Sequence, residues 1–163
     1  MDKLQMINIA EETAKAAQIR DDICARSVLI GLAEIYDDIP EEMVTASMSL
    51  FGGVGAASGS CGAYCAGILG VGLKYNHPVE AELANPALKM EGIRKAVEYR
   101  DRFIAEHGTV MCPVIQKKLF GRSYIFTNPE QEAQFLNLPG HEEKCAEIVG
   151  SAARIAAEII LSD

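Results

Sequence analysis

The chain has 163 residues, 49% hydrophobic and 23% charged, a balance that suits a globular protein able to bury a core without covalent staples. Its formal net charge of −8 at pH 7 argues against nucleic acid and anionic membranes as partners, since both carry the same sign. No segment reaches the roughly 18 uninterrupted apolar residues of a membrane span, and Met1-Asp2-Lys3-Leu4-Gln5 leads into charge without an apolar signal core. The expectation is a cytoplasmic protein forming one domain over residues 1–163.

Along the chain the pattern is helical almost throughout. With Asp21 and Asp22 as a first turn, Cys24, Val28, Gly31, Leu32 and Ile35 recur at helical spacing. The acidic turn at Asp37, Asp38 and Pro40 stops this helix, and Glu41-Glu42-Met43 starts a short one. The glycine-rich run from Phe51 to Gly59 then leads to a helix from Cys61 to Leu73, apolar all round and so expected to be central and buried. After Pro86 a long amphipathic helix is predicted, with Met90, Ile93, Val97 and Ile104 inward and Arg94, Lys95, Arg100 and Asp101 outward. Cys112-Pro113 opens a short helix that Gly121 ends. The last helix carries the stripe Cys145, Ile148, Val149, Ala152, Ala156, Ile159 and Ile160. Only Ser123 to Thr127 looks strand-like, and residues 121–140 form the expected irregular excursion. The fold class is all-α: a compact single-domain helical bundle with a central apolar helix after a glycine-rich loop.

The five cysteines carry most of the chemical information. In a reducing compartment they read as metal ligands, redox thiols or small buried hydrophobes, not as static disulfides. The glycine-rich approach delivers Cys61 into the first turn of its helix, where unpaired N–H groups and the helix dipole favour a thiolate. Cys112, just before Pro113, takes the N-cap of another helix. Cys24 and Cys145 lie on apolar stripes, where a core role competes with a functional one. Cys65, one turn after Cys61, reads as filler, extra ligand or resolving thiol.

Weaker signals are set aside. His141 stands four residues before Cys145 and His107 five before Cys112, so either could be a mixed ligand or a supporting donor; His77 stands apart, and surface positions near helix ends are commoner for all three. Gly53-Val54-Gly55 resembles a dinucleotide-binding turn, but no strand precedes it and no acidic residue follows about 20 positions on in a second strand. Glu41-Glu42 and Glu142-Glu143 stand at helix starts, where they complement the dipole. No nucleophile–base constellation of hydrolase type is present.

The run Cys61-Gly62-Ala63 after a glycine-rich loop resembles the CGAxxG motif of a family of proteins described as redox-active, with four characteristic cysteines. Cys24, Cys112 and Cys145 stand in the matching order and context, over nearly the whole span from Cys24 to Leu161. One position departs: Ala66 replaces the closing glycine, and Gly67 follows it. A related helical domain occurs in split-Soret cytochromes c, where such cysteines are associated with an iron–sulfur cluster; without a Cys-x-x-Cys-His run, haem does not carry over. The resemblance implies a redox role centred on Cys24, Cys61, Cys112 and Cys145.

The leading reading is therefore a redox-active protein that binds an iron–sulfur cluster, or another thiolate-held metal such as zinc, through these four cysteines for electron transfer with an unidentified partner. Their wide spacing means that only the fold could assemble them. The rival is thiol–disulfide exchange, with Cys61 as nucleophile and Cys65 or Cys112 resolving. The third reading is a non-catalytic helical scaffold or binding module. Small-residue helices and an acidic surface are compatible with a homodimer.

Overall fold

The computed structural model describes residues 1–162. In chain order the helices among them are α1 (Lys3–Asp21), α2 (Cys24–Ala33), α3 (Glu41–Ala46), α4 (Gly62–Tyr75), α5 (Val79–Ala84), α6 (Lys89–His107), α7 (Cys112–Phe120), α8 (Pro129–Leu136) and α9 (His141–Ile160), with short 3-10 turns at Ser47–Leu50 and Pro86–Leu88. Among the described residues there is no strand, only an isolated antiparallel bridge between Ser60 and Met111. No described helix is long and apolar enough to cross a membrane. The architecture is all-α, as the periodicity predicts.

Helix α9 packs against α1, α2, α4 and α6. Four neighbours leave it few exposed faces, and its run of small residues (Ala152, Ala153, Ala156, Ala157, all fully buried) lets them approach closely. Helix α4 follows the glycine-rich loop and lies among α2, α6 and α9, burying Ala63, Ala66 and Val71 completely. It is not buried all round, because Leu69 and Leu73 reach the surface.

Two expectations fail for identifiable reasons. Asp21 and Asp22 do not open α2; they close α1, whose C-cap Asp22 takes the left-handed conformation (φ 51°) that a short polar side chain tolerates. As a result Cys24 stands in the first turn of α2 and not within a stripe. The amphipathic face of α6 is also turned over. Gly92, Lys95, Tyr99 and Phe103 are buried, whereas Met90 (63% exposed), Ile93, Val97 and Ile104 face outward. The two rings decide the matter, since an aromatic side chain buries more surface than an aliphatic one and here stacks on Tyr64 of α4. Lys95 follows them inward with its ammonium over the Tyr75 ring and bonded to Ser162 Oγ at 3.1 Å.

The excursion after Gly121 contains no strand. Its backbone donors go to side chains instead: Tyr124 N–H to Gln116 Oε1 (2.8 Å) and Ile125 N–H to Gln131 Oε1 (3.0 Å). The segment holds α8, started by Asn128, whose side chain accepts from Glu130 and Gln131 N–H, and by Pro129. Phe135 of α8 is buried among Phe120, Tyr124, Phe126 and His141. This ring cluster roofs the site described next.

A four-thiol cavity

Cys24, Cys61, Cys112 and Cys145 line one cavity of about 330 Å³, and Cys65 does not. All five are free thiols. Three of the four stand at helix starts: Cys24 in the first turn of α2, Cys61 as N-cap of α4 and Cys112 in the first turn of α7. Cys112 is thus inside its helix, and Met111 caps it. Cys145 sits one turn into α9.

The glycine-rich loop sets Cys61 beside Cys112. Gly52, Gly53 and Gly55 take positive φ, and so do Val54 (66°), Ala56 (58°) and Ser58 (57°), for which that conformation is strained. The loop thereby turns back to form the Ser60–Met111 bridge. Cys61 N–H donates to Val110 O (2.7 Å) and Cys112 N–H to Gly59 O (2.9 Å). Gly62 is required for a different reason: a Cβ there would lie 2.6 Å from the Leu50 carbonyl oxygen and 2.7 Å from Cys24 Sγ. The departure at Ala66 is also accounted for. A Cβ on Gly67 would collide with the Tyr99 hydroxyl, so the glycine stands where the ring of α6 packs, while Ala66 fits a fully buried position.

The electrostatics single out Cys61. The Cys24 thiol donates to its sulfur, and against the opposing effect of burial the N–H groups of Tyr64 and Ala63 assist, holding Cys61 down to about 7. The same bond, then burial and the charges of Cys61, Cys112 and Cys145, push Cys24 well up. Burial and the Cys61 charge lift Cys112 to about 12, and burial with Asp22 and Cys61 raises Cys145. Cys65 rises to about 11, chiefly by burial. The hydrogen-bond partner of the Cys61 sulfur is Cys24.

The wall also carries Gln18 and Asp22, which the sequence did not single out as site residues. Gln18 Nε2 donates to Asp22 Oδ1 (2.7 Å), and Asp22 Oδ2 meets His141 Nε2 at 3.0 Å, while His141 Nδ1 donates to Leu138 O. Burial lifts Asp22; for His141 the bonds to Leu138 and Asp22 outweigh burial and raise it. His141 therefore supports Asp22, which lines the cavity. His107 is elsewhere, against Phe103 and bonded to Ser151 Oγ at 2.5 Å, and His77 is exposed. The i, i+4 spacing of Gln18 and Asp22 is the one sequence signal that could have marked this pair.

No three His, Cys, Asp or Glu side chains among the described residues stand close enough together to hold one metal ion. The donor set is that of a thiolate centre, but its members are spread around a volume. The fold and site define a class: helical proteins that present four thiols from separate helices to one cavity. The profile of the family described as "Putative redox-active protein (C_GCAxxG_C_C)" matches residues 23–159, and the chain belongs to that family. The description spells the central motif GCAxxG, where this chain reads Cys61-Gly62-Ala63. No curated protein and no solved structure matches the chain.

Proposed function

We propose that this chain is an electron-transfer protein that holds an iron–sulfur cluster through Cys24, Cys61, Cys112 and Cys145. The observation that carries the reading is that four thiols from four helices open onto one cavity while the fifth stays out of it. Four thiols bordering a volume of about 330 Å³ are the donor set of an iron–sulfur cluster, and zinc held by the same thiolates is the alternative that metal analysis separates. When bound, such a cluster supplies one-electron chemistry.

The residues supply the rest. At the start of α4 the N–H groups of Ala63 and Tyr64 meet the Cys61 sulfur and stabilise its charged form, and Cys24 and Cys112 stand in the first turns of two further helices. Phe126 and Phe135 border the cavity and lower the local dielectric, a lever on a redox potential. Burial and mutual repulsion hold Cys24, Cys112 and Cys145 as thiols in the absence of positive charge; a metal centre is what would draw their protons off. Anaerobic purification followed by iron, zinc and acid-labile sulfide analysis tests this. Iron and sulfide are expected in the wild type and in Cys65→Ser, and their loss is expected in Cys61→Ser. A wild-type protein free of both would refute the cluster, and loss in both variants would make Cys65 a ligand.

The Cys24–Cys61 hydrogen bond supports a second reading, thiol–disulfide exchange. The Cys61 thiolate would attack a substrate disulfide and release one thiol, and Cys24 would then displace the other, leaving a Cys24–Cys61 disulfide and a reduced substrate.

A further inference from the structure

The aliphatic stripe of α6 finds no cover within the chain. Tyr99 and Phe103 take the side of the helix that faces α4, and Arg102 and Glu106 reach α9 through Glu158 and Arg154. Met90, Ile93, Val97 and Ile104 are left on the remaining face, 38–63% exposed. On α4, Cys65, Leu69 and Leu73 stand one turn apart on a common face, and the two leucines are 43% and 38% exposed. The Tyr64 hydroxyl feels the charges of Cys65 on α4 and of Arg100 and Asp101 on α6, so the outer edges of the two helices adjoin. Single exposed aliphatic side chains are ordinary on a protein surface; two adjoining rows of them are not.

Area, spacing and charge restrict what could cover this face. Its six aliphatic side chains offer an area on the order of 500 Å², in the upper part of the roughly 300–600 Å² that the largest patch on a monomer reaches. A standard interface buries about 800 Å² on each partner, about three-fifths of it apolar, so the six with a polar rim supply one side of such an interface. On α6 the apolar positions step by three, four and seven residues, the spacing of a two-helix seam with Arg100 at the missing place. The exposed charges between Met90 and Ile104 are Glu91, Arg94, Arg100 and Asp101, two of each sign, already paired as Glu91–Arg94 and Arg100–Asp101. A chain of net charge −8 thus keeps its negative excess off this stripe, which removes the main obstacle to meeting a copy of itself. In an antiparallel two-fold arrangement centred near Val97, Met90 falls opposite Ile104 of the second copy and Arg94 opposite its Asp101, and symmetry repeats both contacts.

We propose that the outer face of α4 and α6 is the interface of a homodimer, in which α6 packs antiparallel to α6 of a second copy of this chain. No residue of α6 lines the thiol cavity, so the proposal stands apart from the redox reading. Sedimentation equilibrium of the full-length, anaerobically purified protein tests it, and twice the chain mass is expected at micromolar concentration. Ile93→Glu and Val97→Glu change outward positions and should each weaken association about hundredfold or more, because symmetry places the new charge in the seam twice. Their helical circular dichroism should match the wild type. Ile19→Glu, at a position 52% exposed on α1, which packs against α9 and α2, should leave the dimer intact. Should either seam variant lose its helical signal, Met90→Glu takes its place, at the most exposed position of the stripe. A wild type that is still monomeric at millimolar concentration overturns the proposal, whether or not some other protein binds the face. So does a dimer that survives the seam variants, or one that Ile19→Glu disrupts as strongly. Metal analysis of Cys61→Ser bears on the cluster alone, because the mass is read on the wild type and on variants that leave the cavity untouched.

Discussion

Two aromatic clusters are built from similar residues and do opposite things. Between α4 and α6, Tyr64, Tyr99, Phe103 and His107 stack with ring centroids 4.5–6.3 Å apart, and Tyr99 and Phe103 are completely buried. Gly67 leaves no room there even for a methyl group. Around Phe135, the rings of Phe120, Tyr124, Phe126 and His141 lie at 4.8–5.5 Å, yet Phe126 and Phe135 also border the thiol cavity. The first cluster fills space and the second encloses it. Close packing is the default of a protein interior, so a void kept open under a roof of rings, beside strained backbone, marks where the fold gives up stability.

The sharpest test of that difference is to truncate one ring in each cluster. Phe103→Ala is expected to cost about 3–5 kcal/mol in urea unfolding, as for a fully buried ring in a closely packed core. In the folded variant the labelling rate of Cys61 by iodoacetamide should stay as in the wild type. Phe135→Ala should cost less, since its surroundings already include empty volume, and should speed Cys61 labelling severalfold by opening the roof. Equal stability losses with unchanged labelling in both would erase the distinction between the clusters.

A second effect, smaller in free energy, separates access from chemistry. In metal-free protein Cys61 is held down to about 7, first by the Cys24 hydrogen bond, so its thiolate forms below the pH at which an ordinary thiol ionises. Its labelling should rise about tenfold between pH 6 and pH 8 and then level off. Cys65, at about 11, should keep rising beyond that range. Site-resolved mass spectrometry reads both. Replacing Cys24 with Ala removes the donor and should move the Cys61 midpoint upward, toward the ordinary thiol value, whereas Phe135→Ala should raise the plateau and leave the midpoint in place. A Cys61 midpoint unchanged without Cys24 would show that the helix start alone sets it.

The same contrast between filled and open regions explains what could be read from the sequence. Periodicity marked α6 and α9 but not the equally long α1, and the glycine-rich approach placed Cys61 at the start of α4, because the apolar stripes and the loop are local properties of the chain. The inward face of α6 was not legible: the aliphatic stripe Met90, Ile93, Val97, Ile104 and the aromatic one are both regular, and only Tyr64 and Gly67 on another helix choose between them. The position of Cys24 failed for a smaller reason, since Asp22 can open a helix or close one. Gln18 carried no signal of its own in the sequence, and its setting depends on α9 bringing His141 to Asp22.

The least costly element of the cavity to alter is its strained loop, and the smallest effect is expected there. Val54 is 42% exposed and holds φ at 66°, a conformation that crowds a β-branched side chain. Val54→Gly removes the crowding, at about 1–2 kcal/mol for a residue with a Cβ in this region. The glycine also frees the unfolded chain, which returns about 0.5–1 kcal/mol. A net stabilisation of about 0.5–1 kcal/mol should follow, seen as a higher urea midpoint with an unchanged slope. The variant also asks what the strain is for. The bonds from Cys61 N–H to Val110 and from Cys112 N–H to Gly59 lie just beyond the loop, and the loop's path positions both. If those bonds alone hold the two thiols, Val54→Gly will be more stable with an unchanged Cys61 labelling profile. A stabilised variant with slower labelling or a shifted midpoint would mean that the strain at Val54 is transmitted to the site, and that the loop sets the reactivity of Cys61 as well as its place.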